Sequence, residues 1–371
     1  MTAHPAIRPR EGVLDIAPYV GGESTAPGAN RVIKLSSNEN PFGPSPKVLD
    51  AYLAAAGGLA LYPDGGHLAL RQAIAGVHGL EAERIVCGAG SDELIALLCK
   101  AYAGAGDEVL YSRHGFVMYR LSALAAGASP VAAPEHDLTA DVDALIAALT
   151  ERTRLVFLAN PNNPTGTMID EAALARLAGA LPPQALLVLD AAYAEYVRTP
   201  GHDGGIGLVR ARDNVVMTRT FSKIHGLAAL RLGWAYAPEH VIDVMNRVRG
   251  PFNVTATALA AGEAAIRDGA YVEHCAVTNE VWRDWLAKEI RAAGLGVTPS
   301  HGNFILVETG AGTDEADAHL KSRGLIVRRM EGYGLPGHLR VSIGDEEGCR
   351  AVACALRDFG RDSGRDSGAG S

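Results

Sequence analysis

Little in this chain points to a membrane, a metal or a nucleic acid. Its 371 residues include only five cysteines (Cys87, Cys99, Cys275, Cys349 and Cys354). An odd number at unrelated spacings fits reduced cytosolic thiols rather than a disulfide framework. No stretch approaches the roughly 20 apolar residues that a membrane helix needs, because charge or glycine breaks each of the longer runs. The first residues, MTAHPAIRPREGVLDIAPYV, lack the apolar centre of a signal peptide, so a cytoplasmic protein is expected. Basic runs are missing too. With 34 Lys and Arg against 42 Asp and Glu, the formal net charge is −8, which argues against nucleic acid as a partner. Twelve histidines form no HExxH and no cluster with cysteine, so no metal is expected.

What the chain does have is ordinary globular composition, 48% hydrophobic and 20% charged, over a length that favours two domains. Seven β-rich runs lie between about residues 84 and 237: RIVCG (84–88), EVLYS (108–112), PVAA (130–133), RLVFLA (154–159), ALLVLD (185–190), NVVMTRT (214–220) and LGWAYA (232–237). They are nearly continuous in apolar residues, as strands buried on both faces of a mainly parallel sheet are. Amphipathic stretches such as DELIALLCKAYAG (92–104) and TADVDALIAALT (139–150) suit crossover helices. The class is therefore α/β, helices flanking a sheet.

The last third differs. Helical patterns at roughly 255–268 and 271–293 precede short strands NFILVE (303–308), LIVR (325–328) and LRVSI (339–343), then a helix near 345–358. We expect an N-terminal arm, 1–35, packed on the rest or on a partner subunit; a large α/β domain, 36–254; a small α+β domain, 255–358; and a disordered tail, 359–371. The tail repeats RDSG and has almost nothing apolar to bury.

In open α/β sheets, ligands collect at the carboxyl ends of the strands. After RIVCG comes GAGSDEL, a glycine-rich turn opening a helix at Ser91, Asp92 and Glu93. Free N–H groups and the helix dipole suit an anion there, although an ordinary capped helix start has the same look. After RLVFLA comes the turn NPNNPTG (160–166), which backbone preferences alone could also explain. Asp190 closes an apolar strand, either as a helix cap or as a carboxylate awaiting a cation. In RTFSKIHGLAALRLGWA (219–235), Lys223 stands among small and apolar residues, with Thr220 and Ser222 before it and Arg231 after. A half-exposed strand-end lysine fits this. So does an amine in a dry pocket, its pKa lowered and its nitrogen nucleophilic. One ligand accommodates the whole set: a phosphorylated aromatic aldehyde with a ring nitrogen, pyridoxal phosphate. Lys223 would bond the aldehyde, Asp190 would face the ring nitrogen, and the helix-opening amides with Thr220, Ser222 and Arg231 would hold the phosphate.

These residues resemble the fold-type-I pyridoxal phosphate aminotransferases in content and order: NPNNPTG, Asp190 and Tyr193, and a Ser-Lys pair followed eight positions later by Arg231. SSNENPFGPSP (36–46), LYPDGG (61–66), GAGSDEL, VMY (117–119), GLIVR and GYGLPGHLRVSIG are similar to the histidinol-phosphate aminotransferase family within them, from about Tyr19 to about residue 358. The resemblance implies a large domain with a mainly parallel seven-stranded sheet, a smaller C-terminal domain, and a homodimer with composite sites. It implies further that Tyr62 reaches the partner's cofactor phosphate, that Phe116 stacks on the ring, and that Asn163 and Tyr193 bond the ring hydroxyl. Arg340 would grip the substrate anion, Arg328 the substrate phosphate, and Tyr19 would line the substrate side. Three departures are visible. SRHG precedes Phe116 where many relatives have a proline-threonine pair, His225 replaces a common tyrosine or phenylalanine, and Arg329 directly follows Arg328.

The activity so implied is ping-pong transfer of an amino group from histidinol phosphate to 2-oxoglutarate, giving imidazole acetol phosphate and glutamate in histidine biosynthesis. Lys223, Asp190 and Tyr193 would be the catalytic residues. A phenylalanine or tyrosine aminotransferase is an alternative within the same scaffold, and a threonine-phosphate decarboxylase a lyase alternative.

Overall fold

A computed structural model describes residues 7–10, 12–18, 21–25, 28 and 31–365. The seven apolar runs form one sheet. From edge to edge its strands are Ile85–Gly88, Gly233–Tyr236, Val215–Thr220, Leu186–Asp190, Thr153–Ala159, Glu108–Ser112 and Ser129–Ala133. All neighbours are parallel except Gly233–Tyr236, which runs against both of its own. Successive residues of a strand face opposite sides, and both sides are core for every strand except the edge strand Ser129–Ala133, where, against expectation, only Ala133 is buried because nothing in the sheet lies beyond it. Val156, Leu158, Leu187 and Leu189 face one apolar layer with Phe221 and Trp234. Leu155, Phe157 and Val188 face the other with Leu94, Leu98 and Tyr119. Each such side chain contributes about 1.5–3 kcal/mol through burial, which is why runs this apolar pair into a central sheet.

Helix starts follow local chemistry. Asp141, Asp170 and Thr255 each cap a helix by accepting hydrogen bonds from backbone N–H groups of the first turn. The Asp141 cap corrects one expectation. The helix predicted over 139–150 is only Val142–Ala147, because Thr139–Ala140 turns back to pair with Glu135–His136. That hairpin turns through Asp137 and Leu138, both left-handed at φ 46° and 58°, the two-residue geometry that matches the twist of paired strands.

The C-terminal part holds an antiparallel sheet ordered Gly296–Val297, Phe304–Glu308, His338–Ser342 and Arg328–Arg329. Leu286 and Ile290 of the helix Gly269–Ala292 pack against it, as do Leu320 and Leu356. Three boundaries differ from expectation. The helix Ala256–Arg267 does not join this sheet; its small residues Ala258, Ala261 and Ala265 pack into the core of the large sheet. At the other end, Ile33–Lys34 pairs in parallel with Leu325–Ile326, so the last residues of the expected arm attach to the small layer. The final helix runs Glu346–Arg365, so helix replaces expected disorder from residue 359; residues 366–371 lie outside those described. Near the start, Arg10 donates to the carbonyls of Ala125 and Ala126, laying that part of the arm on the helix Val117–Ala126.

Candidate active site

The parallel strands deliver Ser112, Ala159, Asp190 and Thr220 to one edge of the sheet. Above that edge lies a cleft with about 860 Å³ of empty space, its open mouth included, within the range of small-molecule sites. Lys223, Asp190, Tyr193 and Asn163 line it, with Ser91 and Phe116. The linear order of the sequence thus becomes one wall.

Lys223 stands three residues past the strand Val215–Thr220. Its Nζ donates to the carbonyl of Ser37 at 3.1 Å and lies 5.9 Å from the centre of the Tyr193 ring. Burial pushes its amine down to about 8, and the positive charge of Arg340 adds to the effect. Asp190 is buried, 5% exposed. Its Oδ2 accepts from the Tyr119 hydroxyl at 2.7 Å and its Oδ1 from the Ala192 amide at 3.3 Å. Burial pushes its carboxyl up to about 6, against those hydrogen bonds. Moving a carboxyl from 3.8 to about 6 disfavours the charged form by about 3 kcal/mol. A cation against Asp190 would relieve that cost. Tyr193 is buried, its hydroxyl accepts from Asn38 Nδ2 at 2.9 Å, and burial raises its pKa to about 12.

The anion end is built around the helix Ser91–Tyr102. Gly90 precedes it at φ 90°, a left-handed backbone, and a Cβ there would come within 2.5 Å of an Arg231 nitrogen. A Cβ on Gly233 would come within 2.5 Å of the Ser91 amide nitrogen. Glycine at both positions lets strand, guanidinium and helix start close on one another. Arg231, itself left-handed at φ 51°, donates to Ser222 Oγ at 3.3 Å and to Asp92 Oδ2 at 3.1 Å. The Arg231–Asp92 pair is about half exposed on both sides, so its worth is at most ~1 kcal/mol, and a bound anion can share that guanidinium. Thr220 and Ser222 are buried beside it, the Ser222 amide bonded to Thr220 Oγ1 at 3.1 Å. Glu93 turns the other way. Its carboxylate accepts from the Ala89 amide and from Asn253, bracing the helix start, and it does not line the cleft.

From the small sheet, Arg328 and Arg340 are direct cross-strand partners and both line the cleft. Arg340 is buried, donating to the Ser36 carbonyl at 2.9 Å and to Asn163 Oδ1. Adjacent side chains of a strand face opposite sides, and Arg329 accordingly points out, where Asp314 and Glu331 hold it. The choice between Arg328 and Arg329 that the doubled arginine leaves open therefore falls on Arg328.

Two expected residues stand elsewhere. Tyr62 is 83% exposed and stacks on Phe252 at 4.7 Å, outside the cleft of its own chain. Tyr19 lies outside the described residues. Sequence reasoning gave no role to three residues that matter: Tyr119, which bonds Asp190; Asn38, which bonds Tyr193; and Tyr333, which lines the cleft. Each sits inside a motif the sequence displays (VMY, SSNENP and GYGLPG), but only the folded chain shows what it faces.

This fold, with a buried lysine and carboxylate at the sheet edge and a helix start for an anion, matches the family described as aminotransferase class I and II over residues 30–356. The chain belongs to the class I and II aminotransferases. It is 60% identical over 356 residues to histidinol-phosphate aminotransferase of Dinoroseobacter shibae, covering 95% of this chain and 98% of that one. It is 56% identical to the histidinol-phosphate aminotransferase of Paramagnetospirillum magneticum, again over 95% of this chain and 98% of that relative. Among solved structures it is similar to histidinol-phosphate aminotransferase from Sinorhizobium meliloti in complex with pyridoxal-5'-phosphate, with a TM-score of 0.89 at 29% identity, over 98% of this chain and 99% of that one.

Proposed function

We propose that this chain transfers an amino group between histidinol phosphate and 2-oxoglutarate, giving imidazole acetol phosphate and glutamate in histidine biosynthesis, with pyridoxal 5'-phosphate as cofactor. The observation that carries the substrate reading is the pair Arg328 and Arg340, cross-strand partners that line the same cleft as the Arg231 anion site. A guanidinium binds carboxylate or phosphate in a planar fork, so one arginine pair can serve a phosphorylated amine and a dicarboxylate in turn. The names of the relatives at 56–60% identity agree with it.

The residues present fit the cofactor. Asp190 is a buried carboxylate in want of a cation, Lys223 is an amine with a lowered pKa, and Gly90 and Gly233 let the Ser91 helix start and the Arg231 guanidinium close together on the cleft wall, where an anion can meet both. When bound, pyridoxal phosphate supplies an aldehyde for amines and a ring that withdraws electrons from the substrate's α-carbon. Asp190 would hold a proton on the ring nitrogen. The Ser91 region, Thr220, Ser222 and Arg231 would hold its phosphate, Phe116 its ring, and Asn163 and Tyr193 its hydroxyl, all of them on the cleft wall. Lys223 Nζ, with a pKa near 8, is close enough to neutral to take a proton from the α-carbon and return it. Arg328 and Arg340 orient the substrate by its anion.

The enzyme acts in the cytoplasm as a homodimer. Among the described residues no helix is long and apolar enough to cross a membrane. Leu53, Leu59, Leu61 and Leu68 are exposed around Tyr62, an apolar surface that a second copy would cover, bringing Tyr62 to the partner's phosphate site.

A half-reaction tests the assignment. Purified protein loaded with pyridoxal phosphate is mixed with histidinol phosphate, phenylalanine or phosphothreonine, and the cofactor's colour change is followed. The fastest change with histidinol phosphate, and no release of carbon dioxide from phosphothreonine, is the expected result. A faster change with phenylalanine would assign an aromatic amino acid aminotransferase instead.

A further inference from the structure

The hairpin Glu135–Ala140 lies outside the cleft wall, yet it touches three segments that build the cleft. Its first residue, Glu135, has a side chain only 3% exposed. One carboxylate oxygen accepts from the Ser112 hydroxyl and from the His114 amide, and the other meets His114 Nδ1 at 2.7 Å. Burial alone would raise this carboxyl; the bonds from His114 and Ser112 outweigh it and hold the pKa below the ordinary glutamate value. Serine and histidine thus stay fixed just before Gly115 and Phe116, in the SRHG segment that departs from the family's proline-threonine pattern. The segment turns tightly, with the Gly115 amide bonded to the Ser112 carbonyl at 2.7 Å and no room for a Cβ, which would lie 2.9 Å from that same oxygen.

At the tip of the hairpin, Leu138 packs with Leu306, Met330, Leu335 and Tyr333, beneath the turn Glu331–Tyr333 that brings Tyr333 to the cleft. Its carbonyl accepts from Thr167 Oγ1 at 2.8 Å, and Thr167 Oγ1 contacts Thr165 Oγ1 at 2.9 Å in the NPNNPTG loop. A buried carboxylate with this many donors is costly to disturb, whereas a two-residue turn alone would be easily displaced. The hairpin couples the two.

We infer that Glu135 is a positioning residue which, through Ser112 and His114, holds Phe116 against the cofactor, and that Leu138 of the same hairpin positions Tyr333 on the substrate side. Phe116 and Tyr333 line the cleft, while Glu135 and Leu138 act through them. The cofactor half of this inference rests on the function proposed above.

Three variants, E135A, E135Q and L138A, test it by two measurements. The first is hydrogen exchange in the ligand-free protein. E135A should speed exchange at Ser112–Phe116 and L138A at Met330–Gly334, each by about ten-fold, as expected where one or two net hydrogen bonds or a packed leucine supported the segment. The rest of the sheet should be unchanged. The second is titration of the ligand-free protein with pyridoxal phosphate. E135A should raise the dissociation constant about ten-fold. E135Q should stay within about two-fold, because its amide oxygen still accepts from Ser112 and its NH₂ can donate to His114 Nδ1. L138A should leave cofactor affinity unchanged and raise the KM for the amino donor without changing kcat. Unchanged exchange at Ser112–Phe116 in E135A, or wild-type cofactor affinity in that variant, overturns the inference, because a merely structural glutamate would lower stability without moving either. If wild-type protein itself fails to bind pyridoxal phosphate while the exchange results hold, the proposed function falls and the positioning of the two segments stands.

Discussion

The hydroxyl of Tyr119 donates to Oδ2 of Asp190 at 2.7 Å, and the Tyr119 ring is stacked on Phe157 at 4.8 Å. The tyrosine cannot swing away without leaving the core, so one carboxylate oxygen is committed and the orientation of the other is set. Y119F keeps the stacked ring and loses only the bond. Because that bond lowers the Asp190 pKa, the carboxyl of the variant should hold its proton to higher pH than about 6 and keep the ring nitrogen less protonated. A hydrogen bond to a charged group is worth ~1.5–3 kcal/mol, so kcat should fall by on the order of ten-fold or more. Steady-state kinetics across pH check this.

Asp190 also makes ligand-free stability depend on pH in a direction opposite to most carboxylates. Its folded pKa, about 6, lies above the ordinary 3.8, so between those values the folded chain binds more protons than the unfolded one. Its contribution is fully present below pH 3.8 and is lost as pH rises through about 6. D190N should remove that part of the slope, leaving the ligand-free variant more stable than wild type at pH 8 by up to about 3 kcal/mol. Urea unfolding at pH 5 and pH 8 measures it. The same change should lower turnover by several orders of magnitude, on the order of the electrostatic terms removed from other catalytic sites.

Lys223 is the one lysine among the described residues that line the cleft. K223A should still bind pyridoxal phosphate through the Arg231 end and the Asp190 side. It should lack the visible absorbance of the lysine-bound cofactor and turn nothing over. Absorbance after gel filtration and a coupled glutamate assay test both halves, and normal turnover would reject the role given to Lys223.

The doubled arginine can be separated by substitution. R328A should raise the KM for a phosphorylated donor by on the order of 10–100-fold, the loss of one charge-assisted contact. R329A removes only outward pairs with Asp314 and Glu331, worth at most ~1 kcal/mol at a partly exposed site, and should leave KM and kcat within about two-fold. Initial rates with both variants distinguish them.

Six of the seven sheet strands were legible because burial on both faces demands unbroken apolar runs, and RLVFLA and ALLVLD have no other use; the edge strand Ser129–Ala133 is read from the same pattern although only its Ala133 is buried. The residues at their ends were legible for a related reason: Asp190 and Lys223 are polar groups where apolar ones are the rule. The hairpin at 135–140 was not. The spacing of Val142 and Leu145 is helical, and nothing short of the left-handed pair Asp137 and Leu138 tells the chain to turn back first. The helix Ala256–Arg267 was seen but attached to the wrong core, because a face of alanines fits any close neighbour. A Cβ on its Gly262 would come within 2.4 Å of Leu232, which shows how near the large sheet it lies. Tyr119, Asn38 and Tyr333 escaped notice because their partners are distant in sequence. Asn38 meets Tyr193 across 155 positions.

Arg340 ties together Ser36, Asn163 and its own strand through oxygens that carry no formal charge. One guanidinium is thereby a shared anchor for residue 36 and for the loop at 163, so its removal would loosen both segments at once.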